Sequence, residues 1–228
     1  MALADLVYIY GVGRYPSAAV TLPLGLEQAT QLLRVDDLAA IVEYGIDLTA
    51  LQADDQRLLT AVLSHDRVIC DLFQQMTILP IRFGTQLASL DRLQAHIGSQ
   101  YQSYQDKLTE LDHKSEYQLK LVPEAIAPSP PAENLSGRDY FLAKKQRLQD
   151  HSMAQAQQQA ELVSLCDRIR QTFPGAVNAS HDDGTAKVYI LLASEEAQTL
   201  RQQATRWQAE TVYWHLTLSQ ALPPYHFV

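Results

Sequence analysis

The sequence predicts an α+β protein of two domains. A mixed α+β domain covers residues 1–113, and a ferredoxin-like βαββαβ domain with a long first helix covers 114–228. Three observations carry this. From about Ser115 the apolar pattern alternates between period 2 and period 3.6, in the order strand, helix, strand, strand, helix, strand. Before that point, short apolar runs and amphipathic stretches read as strand, hairpin, helix, strand, helix. Within this first half, Thr77–Thr85 (Thr-Ile-Leu-Pro-Ile-Arg-Phe-Gly-Thr) breaks the rules for an ordinary strand at its proline, arginine and glycine.

Leu6–Tyr10 is a continuous apolar and aromatic run, a buried strand, and Gly11-Val12-Gly13 reads as a turn after it. It is not a dinucleotide loop, because the third glycine is missing, Pro16 follows and no helix opens. Leu38–Val42 is a central strand, and Asp36-Asp37 turn a hairpin back to Gln31–Val35. Asp54–Met76 has helical period, with Leu58, Val62, Ile69, Leu72 and Met76 on one stripe and Asp54 or Asp55 at the cap. His65 lies on that stripe. Val68 and Ile69 at i+3 and i+4 offer it no ligand or catalytic partner, so it reads as a core histidine with one hydrogen bond. In the following strand, Pro80 belongs on an edge or at a bulge. Arg82 calls for a carboxylate or carbonyls to hold it at a domain junction, and Gly84 permits positive φ. Helical pattern then runs through Leu87–Leu111.

In the second half Tyr117, Leu119 and Leu121 alternate with Glu116, Gln118 and Lys120. A loop with Pro123, Pro128, Pro130 and Pro131 follows. Read as an interdomain linker, that loop would assign the strand to the first domain; a boundary near His113 keeps four strands in the second. A long helix begins after Ser136-Gly137 and ends before Pro174-Gly175. Phe141, Leu148, Leu162 and Ile169 form one apolar face of it, interrupted by Gln155 and Gln159. At its start Arg138, Lys144, Lys145 and Arg147 stand against Asp139, with Tyr140, Phe141 and Leu142 among them. This is either a solvated face or a docking surface for an acidic segment. Val177–His181 and Lys187–Ala193 flank the hairpin turn Asp182-Asp183-Gly184. Ser194 caps a helix that carries Glu195 and Glu196 in its first turn and Ala197, Leu200, Ala204 and Trp207 on its stripe. The last strand sets Val212, Trp214, Leu216 and Leu218 against Tyr213, His215 and Thr217. The tail from Leu222 to Val228 is apolar, and two prolines lower the entropy lost when it docks. Packing back on the body over 220–228 is expected, with presentation to a partner as the alternative.

At 228 residues, with 46% hydrophobic and 19% charged residues, the composition is globular. A net charge of -8 argues against nucleic acid as the main partner. Cys70 and Cys166 have no metal spacing and read as buried hydrophobes in a reducing cytoplasm. Tyr15–Leu26 is uncharged but too short for a bilayer, so a cytoplasmic protein with no membrane partner is expected. No nucleophile elbow, P-loop, Ser/His/Asp order or histidine cluster is present. No enzyme activity, cofactor, metal or small-molecule substrate is therefore expected.

Six segments, in order, resemble the gas vesicle accessory family GvpF/GvpL. They are Leu6–Gly11, Leu38–Val42, Ser64–Val68, Leu79–Thr85 (the most specific), Ser136–Lys145 and Pro223–Val228. Family tails often carry Gly-Pro-Trp before the double proline, where this chain has Gln220-Ala221-Leu222. The resemblance implies a non-enzymatic protein of gas vesicle assembly. It implies binding to the small hydrophobic shell protein GvpA as chaperone or nucleation factor, or a place as a minor vesicle component, alongside other accessory proteins. It supplies no residue roles. The candidate partner-binding or domain-junction residues, read from this chain, are Pro80, Arg82, Phe83, Arg138, Lys144, Lys145, Tyr225 and Phe227. The alternative is a small-ligand or RNA-binding ferredoxin-like module, for which Tyr189 and Lys187 are the one hint.

Overall fold

Two antiparallel sheets, each with its own helices, organise the chain. The computed structural model describes residues 3–127, 137–180 and 184–228. Pro128, Pro130, Pro131, Ser136 and the Asp182-Asp183 turn lie outside the described residues. Contacts group the chain into one unit of Met1–Glu116 with Ala221–Val228, and a second of Tyr117–Gln220.

In the first unit, β1 (Val7–Arg14), β2 (Gln31–Val35), β3 (Leu38–Tyr44) and β4 (Ile78–Pro80) lie in the order β2-β3-β1-β4, and β5 (Gln86–Leu87) also pairs with β1. The β2–β3 hairpin turns at Asp36, whose φ is 53°. β1 does not turn at its glycines, contrary to the sequence expectation. It runs on to Arg14, with a register slip between Ile9 and Gly11. The reason is close approach to β4. A Cβ on Gly11 would stand 2.6 Å from Ile78 Cδ1 and 2.9 Å from the Leu79 carbonyl oxygen, and one on Gly13 3.0 Å from that of Thr77.

Helix α1 (Leu48–Gln52) precedes α2 (Asp55–Phe73), and Asp54 caps α2 by accepting from the N–H groups of Gln56 and Arg57 at 2.9 and 3.1 Å. The buried stripe of α2 is Ala61, His65, Val68, Ile69 and Leu72. The expected stripe through Leu58 and Val62 is therefore rotated, and Val62 is exposed. An alanine and a histidine on the inner face hide it from a count of large apolar residues. The helix expected over Leu87–Leu111 is two: α3 (Leu90–Ser99), capped by Ser89, and α4 (Tyr101–Glu110), which meet at Gln100.

The inner face of this sheet carries a buried carboxylate. Glu43, 1% exposed, stands opposite Tyr8 in the β1–β3 register. Its Oε2 accepts from the Tyr10 hydroxyl at 2.5 Å and from Leu26 N at 2.7 Å. Its Oε1 accepts from Glu27 N at 2.8 Å and Gln28 N at 2.6 Å. A Cβ on Gly25 would lie 2.0 Å from Oε2, so only glycine lets this loop close over the carboxylate.

The second unit holds β6 (Lys114–Pro123) from Tyr117 onward, α5 (Arg138–Thr172), β7 (Val177–Ser180), β8 (Ala186–Ala193), α6 (Ala197–Glu210) and β9 (Trp214–Leu218). Its sheet has the order β7-β8-β6-β9. Leu119, Leu121, Leu165, Ile169, Val188 and Trp207 lie in its core. Three local expectations change. Ser194 does not cap α6; Ser194–Glu196 form a 3-10 turn in which Glu196 accepts from Ala193 N at 3.2 Å. Val212 precedes β9 and is exposed, and the Glu161 carboxylate holds its N–H and that of Tyr213. On α5, Phe141 and Leu148 are exposed whereas Ile169 is buried. A seven-residue spacing drifts by about 20° per heptad on a straight helix, so residues four heptads apart leave a common face.

Gly11→Ala is expected to destabilise the protein by about 1–3 kcal/mol through overpacking against β4, read as a lower urea midpoint. Gly98→Ala, with open space around it in α3, is expected to be neutral or stabilising. Glu43→Ala strands the N–H groups of Glu27 and Gln28, leaves Leu26 N with the Tyr10 hydroxyl alone, and is expected to lose about 2–4 kcal/mol. Hydrogen exchange should show the amides of Leu26–Gln28 losing protection first.

Candidate interaction site

The segment Thr77–Thr85 forms a short edge strand and a tight turn. Pro80 ends β4 opposite Gly11, at the sheet edge where a missing N–H is tolerated. The chain then turns over Arg82–Thr85. Thr85 donates to the Arg82 carbonyl through its N–H (3.2 Å) and hydroxyl (2.7 Å), and Gly84 takes φ 84°. Phe83 points inward, edge-on to Tyr8 and His65 with ring centroids 6.3 and 5.5 Å away. Arg82 points outward. It is exposed, and among the described residues no carboxylate or carbonyl is joined to it, so it does not act there as a buried pin. Alternation in the turn sends Phe83 to the core and the arginine to solvent.

His65 makes two hydrogen bonds rather than the one expected. Its Nε2 lies 3.0 Å from the Ile81 carbonyl, which only accepts, so that nitrogen carries the proton. Nδ1 therefore accepts from the Tyr8 hydroxyl at 2.8 Å, while Gly84 N donates to the same hydroxyl at 3.3 Å. Burial holds His65 below its ordinary value near 6.5 and pushes the Tyr8 hydroxyl up. One imidazole thus ties β1, α2 and the turn together in its neutral form.

The tail docks on its own chain. Leu222 and Glu116 exchange both backbone hydrogen bonds at 2.9 Å. The Glu116 carboxylate, 1% exposed, accepts from His226 N and meets its Nδ1, each at 2.8 Å. Pro223 and Pro224 are buried, and the Tyr225 hydroxyl donates to Asp66 on α2. Burial and Asp66 both push that hydroxyl up.

Beyond the Tyr225 contact, the same face of α2 is bare. Leu59, Val62 and Leu63 precede Asp66 at helical spacing and are 60%, 39% and 61% exposed. Leu24, also exposed, lies on the neighbouring loop, tied to α2 by Arg67 donating to its carbonyl. A shallow hollow of about 390 Å³ opens beside the start of α2, lined in part by Leu26, Leu51, Arg57 and Ala61.

Of the sequence candidates, Phe83 and Tyr225 pack on one core cluster, that of the first unit. Phe227 is half-buried. Arg138, Lys144 and Lys145 belong to the second unit and are exposed along α5. Sequence reasoning missed Glu43, Glu116, Asp66 and the Leu59–Leu63 stripe. The pair Leu59 and Leu63 at i, i+4 was the available clue. Tyr189 on β8 is 5% exposed, so it offers no open stacking platform for RNA. Among the described residues no group of three His, Cys, Asp or Glu is placed to hold a metal, and no helix is long and apolar enough to cross a membrane.

Because folded His65 takes up a proton only below its ordinary value, the unfolded chain gains one first as the pH drops. The contribution of His65 to stability is therefore fully present above about pH 6.5 and is lost progressively as the pH descends below it. Urea midpoints measured over that descent should fall less steeply for His65→Gln than for the unaltered chain.

No curated protein matches the sequence. Its fold is similar to the crystal structure of gas vesicle protein GvpF from Microcystis aeruginosa, at 13% identity and TM-score 0.70, covering 98% of each chain. It is also similar to that of GvpF from Anabaena sp. PCC7120, at 13% identity and TM-score 0.72, covering 98% of this chain and 95% of that one. At that identity the likeness is one of fold. Membership comes from the sequence, which matches the family described as "Gas vesicle synthesis protein GvpL/GvpF" over residues 6–228, from the start of β1 to the end of the docked tail. The chain belongs to the GvpL/GvpF family of gas vesicle proteins.

Proposed function

We propose that this protein is a non-enzymatic accessory factor of gas vesicle assembly. It binds the small hydrophobic shell protein GvpA, keeps it from aggregating before it polymerises, and associates with the growing shell from the cytoplasm. The ferredoxin-like reading of the second unit goes with this proposal, supported by its strand order. The observation that carries the function is the bare stripe Leu59, Val62 and Leu63 beside the docked tail. A hydrophobic client needs apolar surface on its holder, and a helix face rimmed by polar groups supplies it without a pocket.

Phe83 and Phe227 are half-buried, so substituting them disturbs packing as well as any client contact. The exposed pair is the cleaner probe. Leu59→Asp with Leu63→Asp should leave the urea midpoint close to that of the unaltered chain, since exposed positions contribute within about 0.5 kcal/mol. The same variant should lose co-purification with the shell subunit and fail to restore vesicles in a deletion strain. Normal vesicles with that variant would sink the reading.

A further inference from the structure

Helix α5 is anchored in the second unit at one end. Leu165, Cys166 and Ile169 are buried, Gln158 donates to the Glu124 and Tyr213 carbonyls, and Gln157 accepts from the Tyr213 hydroxyl. From Arg138 to Ala156 no residue is buried. Yet this stretch is not polar throughout. Phe141, Leu142, Leu148 and Met153 are 70%, 55%, 64% and 56% exposed, and at about 100° per residue they fall on one side of the helix. Ala156, Ala160 and Val163 continue the same side into the anchored end, all exposed. The stripe from Phe141 to Val163 is about 33 Å long at about 1.5 Å per residue.

Lys145 lies in this stripe, with Arg138 on it and Lys144 on its flank. Asp139 and Asp150 lie toward the other side, where Asp150 accepts from Gln146 at 2.8 Å. No hydrogen bond or ion pair joins the side chains of Arg138, Lys144 or Lys145 to the described residues. Most of a helix's stability in a protein comes from packing its apolar face, and apolar groups this exposed on one face gain most from a partner that covers them.

We propose that this face of α5 docks a partner helix that is apolar along one side and acidic on its flanks. Charge selects the occupant. Three exposed cations, without a partner among the described residues, accompany the stripe in a chain whose net charge is -8. A second copy answers that poorly. Two α5 faces laid antiparallel, with Phe141 against Val163, put Lys145 opposite Gln159 and supply no row of carboxylates. Their bodies, each of net negative charge, also repel. An acidic amphipathic helix satisfies both the stripe and the cations, with opposite charges steering encounter and fixing direction.

The test uses the full chain and two synthetic helical peptides with the same leucine–alanine stripe, one flanked by Glu and one by Lys. Fluorescence anisotropy should show the acidic peptide binding at least on the order of tenfold more tightly, with affinity falling as salt rises. Lys144→Glu with Lys145→Glu should invert the preference, and Phe141→Ser with Leu148→Ser should abolish binding of both. Circular dichroism is expected to remain unchanged, since all four positions are exposed. Equal affinity for the two peptides, an unaltered preference in the reversal variant, or binding of neither overturns the proposal. So does capture of anionic lipid vesicles, or dimerisation, that depends on these same residues. The inference does not rest on the shell-protein reading. The Leu59/Leu63 variant that tests that reading should bind the acidic peptide normally.

Discussion

A carboxylate inside a sheet is tolerated only when donors meet its oxygens, and much of the first unit is arranged around that requirement at Glu43. Three consecutive N–H groups, from Leu26 to Gln28, and one tyrosine hydroxyl converge on it. The consequence runs both ways. The buried charge is satisfied, and an otherwise irregular loop is fixed against the sheet. Gly25 makes the approach sterically possible, and the leucine that follows it brings its N–H to both Glu43 and Tyr10. Next to this cluster His65 stacks on Tyr10 at 5.2 Å and joins Tyr8 to the turn after β4. The polar core is therefore one connected arrangement in which removing a member leaves its neighbours unsatisfied.

Glu116 repeats the device on the tail. Its backbone pairs with Leu222 and its carboxylate holds His226, so one buried residue fixes an extended segment that has no strand ladder of its own. Tyr225 then reaches α2 at Asp66. The tail thereby covers the far end of the outer α2 stripe and leaves Leu59, Val62 and Leu63 open. A tail held by charge-assisted hydrogen bonds around a buried carboxylate is part of the fold. This favours the body of the unit, and not a free tail, as the surface the proposed client would meet.

Most element types were legible in the sequence, because strands and helices of ordinary length announce themselves by period, whereas α1 and β5, five and two residues long, are too short to do so. The hairpin at Asp36, the cap at Asp54 and the long helix after Gly137 stand where local chemistry places them. Faces were less legible. Ala61 carries less apolar weight than Val62 beside it, so the expected stripe, which already held His65, Ile69 and Leu72, is set part of a turn toward the outer side. The strand glycines misled for a related reason. Gly11 and Gly13 answer a steric demand set by Ile78 and Thr77, far along the chain, whereas local rules read glycine as a turn. Glu43 and Glu116 were invisible because each is held in part by backbone N–H groups, which carry no sequence identity, and their side-chain partners Tyr10 and His226 lie far along the chain. Arg82 was overread: a charge beside apolar residues needs a partner only if it points inward, and a tight turn lets it point out.

The two bare helix faces differ in what they select. The α2 stripe offers aliphatic surface, and Asp66 at its far end is already engaged by Tyr225. Such a face attracts apolar surface in proportion to area and discriminates little among apolar clients. The α5 face sets exposed cations along its apolar stripe, and charge adds what area cannot: faster encounter, a preferred direction, and rejection of partners with the wrong sign. A factor that holds a sticky subunit and also engages particular assembly partners needs both behaviours. Combining them on one face would let the apolar client compete with the specific partner for the same side chains. On the two proposals above, separate helices, α2 in the first unit and α5 in the second, would remove that competition.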